Sequence, residues 1–151
     1  MIKILFVCTE NTCRSPMAES ILRHKLKEKR IYKNYKVDSA GILAQKNSKI
    51  NFFTTEVLEN NSIRPVKHKP RKFIKSMIKN YDLIITMNSD HKRYIKQKFS
   101  DTDNVYSLSD YIDVIDIPDP YGSEYSVYNE TFKLVDYSID ELIEKLEEEN
   151  E

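Results

Sequence analysis

The chain reads as an α/β fold in which helices wrap both faces of a parallel sheet. Three observations point there. Segments that read as strands recur at residues 2–7, 35–40, 81–87 and 104–108, the first a nearly continuous apolar run. Capped or amphipathic helical segments lie between them, and the 151 residues leave room for one sheet. Strands separated by helices pair in parallel through right-handed crossovers. Such sheets place their sites outside the carboxyl ends of the strands, which makes the residues just after each strand the ones to read for chemistry.

Residues 2–7 are nearly continuously apolar, broken only by Lys3, the pattern of a strand covered on both faces. Residues 8–15 read as a turn. Pro16 at a first helical position, Ser15 as its cap and Glu19 in the opening turns predict a helix to about residue 29. Residues 35–40 make a second strand closed by Gly41, and residues 50–60 a helix. Pro65 and Pro70 punctuate a basic connector, followed by a short helix over 71–79 and a buried strand over 81–87. Ser89 or Asp90 opens a helix reaching about residue 99, and residues 104–108 supply the fourth strand. Residues 111–122 carry Pro118, Pro120 and Gly122 and form a loop. Phe132, Val135, Ile139, Leu142 and Leu146 mark one face of a long helix over 127–148. No repeat or linker divides the chain, so residues 1–151 are expected to be a single domain.

Composition narrows the function. Hydrophobic residues are 40% and aromatic residues 11% of the chain, enough for a core and unlike a disordered segment. With 24 basic against 24 acidic residues the formal charge is zero, and no global field argues for nucleic acid or an anionic membrane as partner. The charges are unevenly spread, however: residues 64–79 are basic and the tail from residue 140 is mostly acidic, both read as solvated surfaces. No segment has the length and apolarity of a bilayer span, and the first residues lack the pattern of a secretory signal. Two cysteines, Cys8 and Cys13, are too few for a disulfide scaffold and suggest reactive thiols in a reducing compartment, so a cytoplasmic location is expected.

The segment Cys8-Thr9-Glu10-Asn11-Thr12-Cys13-Arg14-Ser15 sets a thiol and a guanidinium six positions apart, between a strand and a helix. Five intervening residues can curl so that successive backbone N–H groups converge on a tetrahedral oxyanion. The same field favours the thiolate, the nucleophilic form, and Ser15 can add a hydrogen bond to the sulfur. Arg14 offers paired donors for two phosphate oxygens. A lone cysteine after a buried strand is usually core, but a core cysteine does not call for arginine at this spacing or for the Ser-Pro that follows. Asp119-Pro120-Tyr121 supplies a carboxyl group in a constrained loop, able to protonate a leaving group and then to activate water. Asp116 and Asp113 are nearby competitors for that role. His24, His68 and His91 form no recognised metal spacing with the cysteines and read as surface or polar-network residues; no metal and no cofactor is expected.

The run from Cys8 to Glu19, together with Asp38-Ser39-Ala40-Gly41, residues 82–87 and Asp119-Pro120-Tyr121, resembles the low-molecular-weight protein tyrosine phosphatase family over almost the whole chain. The resemblance implies a three-layer α/β sandwich with a central four-stranded parallel sheet, the phosphotyrosine protein phosphatase I-like fold. It implies phosphorylated proteins as substrates, Cys8 as the nucleophile that forms a phosphocysteine, Arg14 as phosphate ligand and Asp119 as general acid. Thr9, Glu10, Asn11, Thr12, Cys13, Ser15 and Tyr121 would line the substrate site. Asn11 and Ser39 would support the loop by hydrogen bonding.

Within the family the loop is most similar to that of the bacterial protein arginine phosphatases, Cys-Thr-Gly-Asn-Thr-Cys-Arg-Ser-Pro-Met-Ala-Glu. Tyrosine-specific members usually carry isoleucine where this chain has Thr12, and a hydroxyl suits a polar guanidino group better than an apolar wall. Two positions depart from that pattern. Glu10 replaces a glycine, so a positive φ there would be penalised, and its carboxylate is expected at the rim, favouring a cationic substrate. Tyr121 stands where arginine phosphatases have phenylalanine and points the other way. Cys13 can capture oxidised Cys8 as a disulfide or simply pack beneath the loop. Two rivals remain: an arsenate reductase, which would need further cysteines downstream to carry the disulfide outward, and a phosphoprotein-binding module, which would need neither nucleophile nor acid.

Overall fold

The computed structural model describes residues 1–150. Four parallel strands, β1 (Ile2–Cys8), β2 (Tyr35–Gly41), β3 (Leu83–Thr86) and β4 (Val105–Ser107), lie in the order β2-β1-β3-β4. The first strand is therefore central, and its carboxyl end falls where the connections diverge to opposite sides, the position at which such sheets hold ligands. Six helices complete the layers: α1 (Arg14–Glu28), α2 (Phe52–Asn60), α3 (Ser76–Asn80), α4 (Ser89–Lys98), α5 (Leu108–Tyr111) and α6 (Tyr125–Glu149). The architecture is the one expected.

Alternation along β1 divides the core. Ile4 and Phe6 join the cluster that contains Met17, Ile21 and Leu22 of α1, Val57 and Leu58 of α2, and Val135, Ile139 and Leu142 of α6. Leu5 and Val7 face the other way, to Phe73, Ile78 and Ile95. All four β1 side chains are fully buried, which accounts for the unbroken apolar run.

Several boundaries differ from the sequence reading. Helix α1 begins at Arg14 rather than Pro16, so Ser15 lies inside the first turn and does not cap it; Cys13 holds the cap position without a side-chain bond. Helix α2 begins at Phe52, because Asn51 accepts the Phe53 amide through its side chain. Residues 71–75 are not helical: Gly41 N–H donates to the Arg71 carbonyl and Phe73 N–H to the Gly41 carbonyl, which extends the β2 edge and leaves only Ser76–Asn80 to coil. Asn88, not Ser89 or Asp90, caps α4 by accepting the His91 amide. The short helix α5 and a 3₁₀ turn at Tyr32–Asn34 were not expected; neither is long enough to show a period.

Candidate active site

The loop from Cys8 to Arg14 is held from below by an extended polar network. Asn11 takes the left-handed conformation, with φ 60°, and its side chain is completely buried. That conformation is uncommon for a side-chain-bearing residue, and asparagine tolerates it better than most. The positive φ of this loop thus falls at Asn11 and not at Glu10, so the penalty that a positive φ would impose on Glu10 does not arise. Asn11 Nδ2 donates to Ser15 Oγ at 2.8 Å and to Ser39 Oγ at 2.9 Å, while Asn11 Oδ1 accepts the Arg71 amide at 3.1 Å.

Gly41, at the end of β2, makes this curl possible. A Cβ there would stand 2.7 Å from the Asn11 nitrogen and 2.7 Å from the Thr9 carbonyl oxygen, both backbone atoms that cannot step aside. The Ile42 and Leu43 amides donate to the carbonyls of Cys8 and Thr9, stitching the loop to the residues just past Gly41.

Cys8 is 2% exposed and its Sγ lies 2.9 Å from Ser15 Oγ. The single Ser15 hydrogen has two possible acceptors, this sulfur and the Ala40 carbonyl at 3.4 Å. The shorter contact suits a thiolate that accepts from Ser15. Behind Ser39 the network continues: Ser39 Oγ donates to Glu19 Oε1 at 2.6 Å, and Glu19, fully buried, also meets His68 Nε2 at 2.7 Å. His68 Nδ1 faces the Lys69 carbonyl at 2.9 Å. Both ring nitrogens thus face acceptors, the pattern of an imidazolium, and the Glu19 hydrogen bond raises the His68 pKa against the lowering effect of burial. The charge of Glu19 is met by His68 and by Arg23, whose Nη2 lies 2.6 Å from Glu19 Oε2.

Arg14, 3% exposed, reaches over the loop: Nη1 donates to the Ile117 carbonyl at 3.0 Å and Nη2 to Thr9 Oγ1 at 3.2 Å. Its Nη2 also lies 3.6 Å from Asp119 Oδ2, on a side chain that is half exposed. Asp119 Oδ1 accepts the Tyr121 amide at 3.1 Å. The competing carboxylates stand elsewhere. Burial pushes the Asp116 pKa up, but hydrogen bonds from Ser109 and Ser89 prevail and hold it below the ordinary carboxylate value, locking it as an anchor of the loop. Asp113 is exposed.

Two concavities meet at the loop. Thr9, Arg14, Ile117 and Asp119 line one of about 370 Å³, with Asn88 and Asp90 on its far wall. Glu10, Thr12 and Tyr121 line another of about 280 Å³, opposite Gln45, Ser48 and Lys49. Glu10 is half-buried at this rim, and the Tyr121 ring is largely exposed. Larger hollows lie away from the loop, one of about 800 Å³ beside α1 and β2 around Arg23, Lys27, Arg64 and Lys67. Of the basic stretch 64–79, Arg71 bonds to the loop and its supports through Asn11 and the Ser39 carbonyl, and His68 through Glu19. Cys13 is buried, with Sγ 3.4 Å from Tyr128 Oη and 3.6 Å from Thr12 Oγ1. Burial raises the Cys13 pKa, with Cys8 adding to the rise, so it remains a thiol. Among the described residues no group of three or more His, Cys, Asp or Glu could hold a metal ion.

Every residue singled out for the site is thus gathered at the carboxyl end of β1, with Tyr121 outermost. Glu19, His68, Arg71 and His91 were missed as parts of it. Glu19 left a faint signal, an acid on a helix face flanked by Met17, Ala18, Ile21 and Leu22; the others arrive from segments remote in sequence and left none.

A cysteine-bearing loop at a helix N-terminus, with a buried guanidinium on the loop and a half-exposed carboxyl group beside it, is the arrangement of a cysteine-dependent phosphoryl-transfer enzyme. The comparisons with known proteins agree. The family described as low molecular weight phosphotyrosine protein phosphatase matches residues 3–151, and the chain belongs to it. The low molecular weight protein-tyrosine-phosphatase PtpB of Staphylococcus haemolyticus is 35% identical over 93% of this chain and 96% of its own. The protein-arginine-phosphatase of Bacillus subtilis is 33% identical over 85% of each. The structure of the YwlE arginine phosphatase from Geobacillus stearothermophilus superposes with a TM-score of 0.88 at 33% identity, covering 99% of this chain and 95% of that one. The protein is a cysteine-dependent protein phosphatase, and its substrates are phosphorylated proteins.

Proposed function

We propose that the protein removes phosphate from arginine side chains in preference to tyrosine, through a phosphocysteine on Cys8. The observation that carries the preference is the polar mouth of the site, where Thr12 and Glu10 share one concavity. Phosphoarginine presents a guanidinium that can donate to the Thr12 hydroxyl and pair with the Glu10 carboxylate. A phosphotyrosine ring would lose water from both groups and return nothing. The arginine phosphatases among the relatives support the same side; the exposed Tyr121 and the tyrosine-phosphatase relatives favour the alternative, a tyrosine phosphatase.

The Cys8 thiolate attacks phosphorus while the loop amides and Arg14 hold the equatorial oxygens. As the bond from phosphorus to the side chain breaks, Asp119 gives its proton to the departing atom. Asp119, now a carboxylate, takes a proton from the water that attacks the phosphocysteine, and phosphate leaves with the thiolate restored. Ser15 stabilises that thiolate, and Asn11 and Ser39 hold the loop. A Cys8 sulfenic acid would be captured by the Cys13 thiol as a disulfide, with loss of water.

The chain acts as one domain, without metal, cofactor, nucleic acid or membrane. No helix among the described residues is long and apolar enough to cross a bilayer, which fits a cytoplasmic enzyme. The test is kcat/KM on matched phosphoarginine and phosphotyrosine peptides. The expected result is a preference for phosphoarginine of at least about tenfold, worth ~1.4 kcal/mol in the transition state. It should shrink in Thr12→Ile and in Glu10→Gly. A preference for phosphotyrosine in the unaltered protein would establish the alternative.

A further inference from the structure

His91 enters the site from α4, 82 residues away from the loop it touches. Its side chain is 4% exposed, and Nε2 lies 2.8 Å from Thr9 Oγ1. Nδ1 is shut away from solvent and has no partner among the described residues. The same Thr9 oxygen receives Arg14 Nη2. The Thr9 backbone is fixed in turn, since its carbonyl accepts the Leu43 amide at 2.7 Å.

Counting hydrogens decides how these groups face one another. A hydroxyl carries one hydrogen and accepts two, and Arg14 can only donate, so one Thr9 lone pair is taken. If Thr9 donated to Nε2, the neutral ring would carry its hydrogen on Nδ1, a buried N–H with no acceptor. Orphaned buried donors are rarer in native proteins than under-used acceptors. If Nε2–H donates to Thr9 instead, Nδ1 is only an idle lone pair and both Thr9 lone pairs are filled. The Thr9 hydrogen must then point away from His91 and from Arg14. The open space left beside Thr9 is the cavity it lines with Arg14 and Asp119.

We propose that His91 is a positioning residue whose Nε2–H turns the Thr9 hydroxyl into a hydrogen-bond donor aimed at the phosphoryl site, beside Arg14. The inference rests on the phosphoryl-transfer reading given above. An oxygen of the transferring phosphoryl group is the matching acceptor, and a donor already oriented by two buried partners costs no reorganisation as charge builds there. The ring stays neutral in the working range: burial, then the neighbouring Arg14, pushes the His91 pKa down to about 4, against the opposing influence of Asp90, Asp119 and Asp116.

Kinetics of the full chain on a phosphopeptide test this, with melting temperature followed in parallel. In His91→Asn the amide is too short to reach Thr9, whereas His91→Gln sets an N–H near the position of Nε2. Thr9→Val removes the hydroxyl itself. The expected result is a fall in kcat of about tenfold in both His91→Asn and Thr9→Val, with KM moving less than about threefold. The double variant should be no slower than the slower single one, and His91→Gln should return to within about threefold of the unaltered rate. Should His91→Asn not fold, Thr9→Val must still slow turnover without lowering the melting temperature. Full kcat in Thr9→Val, additive losses in the double variant, or a Gln variant as slow as the Asn variant would each overturn the assignment. An unaltered protein inactive on every phosphopeptide would instead remove the phosphatase reading beneath it.

Discussion

Two histidines border the same loop with pKa values shifted in opposite directions, and their effects on stability run in opposite directions with pH. The His91 pKa is lowered to about 4 by burial and then by Arg14, so on acidification the unfolded chain takes up this proton first. Its contribution is complete above the unfolded value near ~6.5 and is lost as pH falls through about 4. The His68 pKa is raised, chiefly by its hydrogen bond to Glu19, so its contribution is complete below the unfolded value and is lost as pH rises through the folded one. Denaturant titrations of His91→Gln and His68→Gln at about pH 7 and about pH 5 check the signs. The His91 variant should lose about 2 kcal/mol less than the unaltered protein over that interval, and the His68 variant should lose more. The proposed catalytic residues Cys8, Arg14 and Asp119 stood out as candidates in the sequence because the proposed phosphate-binding loop ties the first two to a local spacing and the third to a constrained turn. His68 and His91 did not, since each acquires its meaning only from a partner, Glu19 or Thr9, brought up by the fold.

Among the elements, the end of β2 controls the catalytic loop. The backbone of Thr9 and Asn11 lies against the face of Gly41 where a Cβ would sit. Gly41→Ala must displace the loop, not merely crowd it, and misplacing reactive groups by about 1 Å can cost on the order of a hundredfold. The expected outcome is a fall in kcat/KM of about that size in a protein whose circular dichroism remains native. Unchanged activity would mean that the loop has slack. Glycine after the second strand was visible in the sequence, but its reason was not, because the clash is with residues from another strand's loop. The strands themselves were readable from apolar runs, as in β1, and α6 from its long period. Residues 71–75 were misread as helix because the pairing of Lys72 with Gly41 overrides local preference. Asn51 and Asn88 were overlooked as caps, although each is a residue type that favours the position.

At the scale of the molecule, a neutral chain builds a strongly polarised site. Charges balance overall, 24 against 24, yet Arg14 bonds to Thr9 and Ser15 of the first turn of α1 meets the Cys8 sulfur, while Glu19 is buried beneath and paired with Arg23 and His68. The sheet makes this possible by presenting the end of its central strand, covered on both faces, to the loop. The central claim is that the phosphoryl group passes through Cys8 with Asp119 supplying and then removing the proton. Acid quenching during turnover of a phosphopeptide, followed by mass measurement of the intact protein and of its peptides, tests it most directly. The expected result is a phosphoryl adduct on Cys8, formed more slowly in Asp119→Ala, which lacks the proton donor for the leaving group, and absent in Cys8→Ala. Turnover that persists in Cys8→Ala, or an adduct on any other residue of the unaltered protein, would contradict the account.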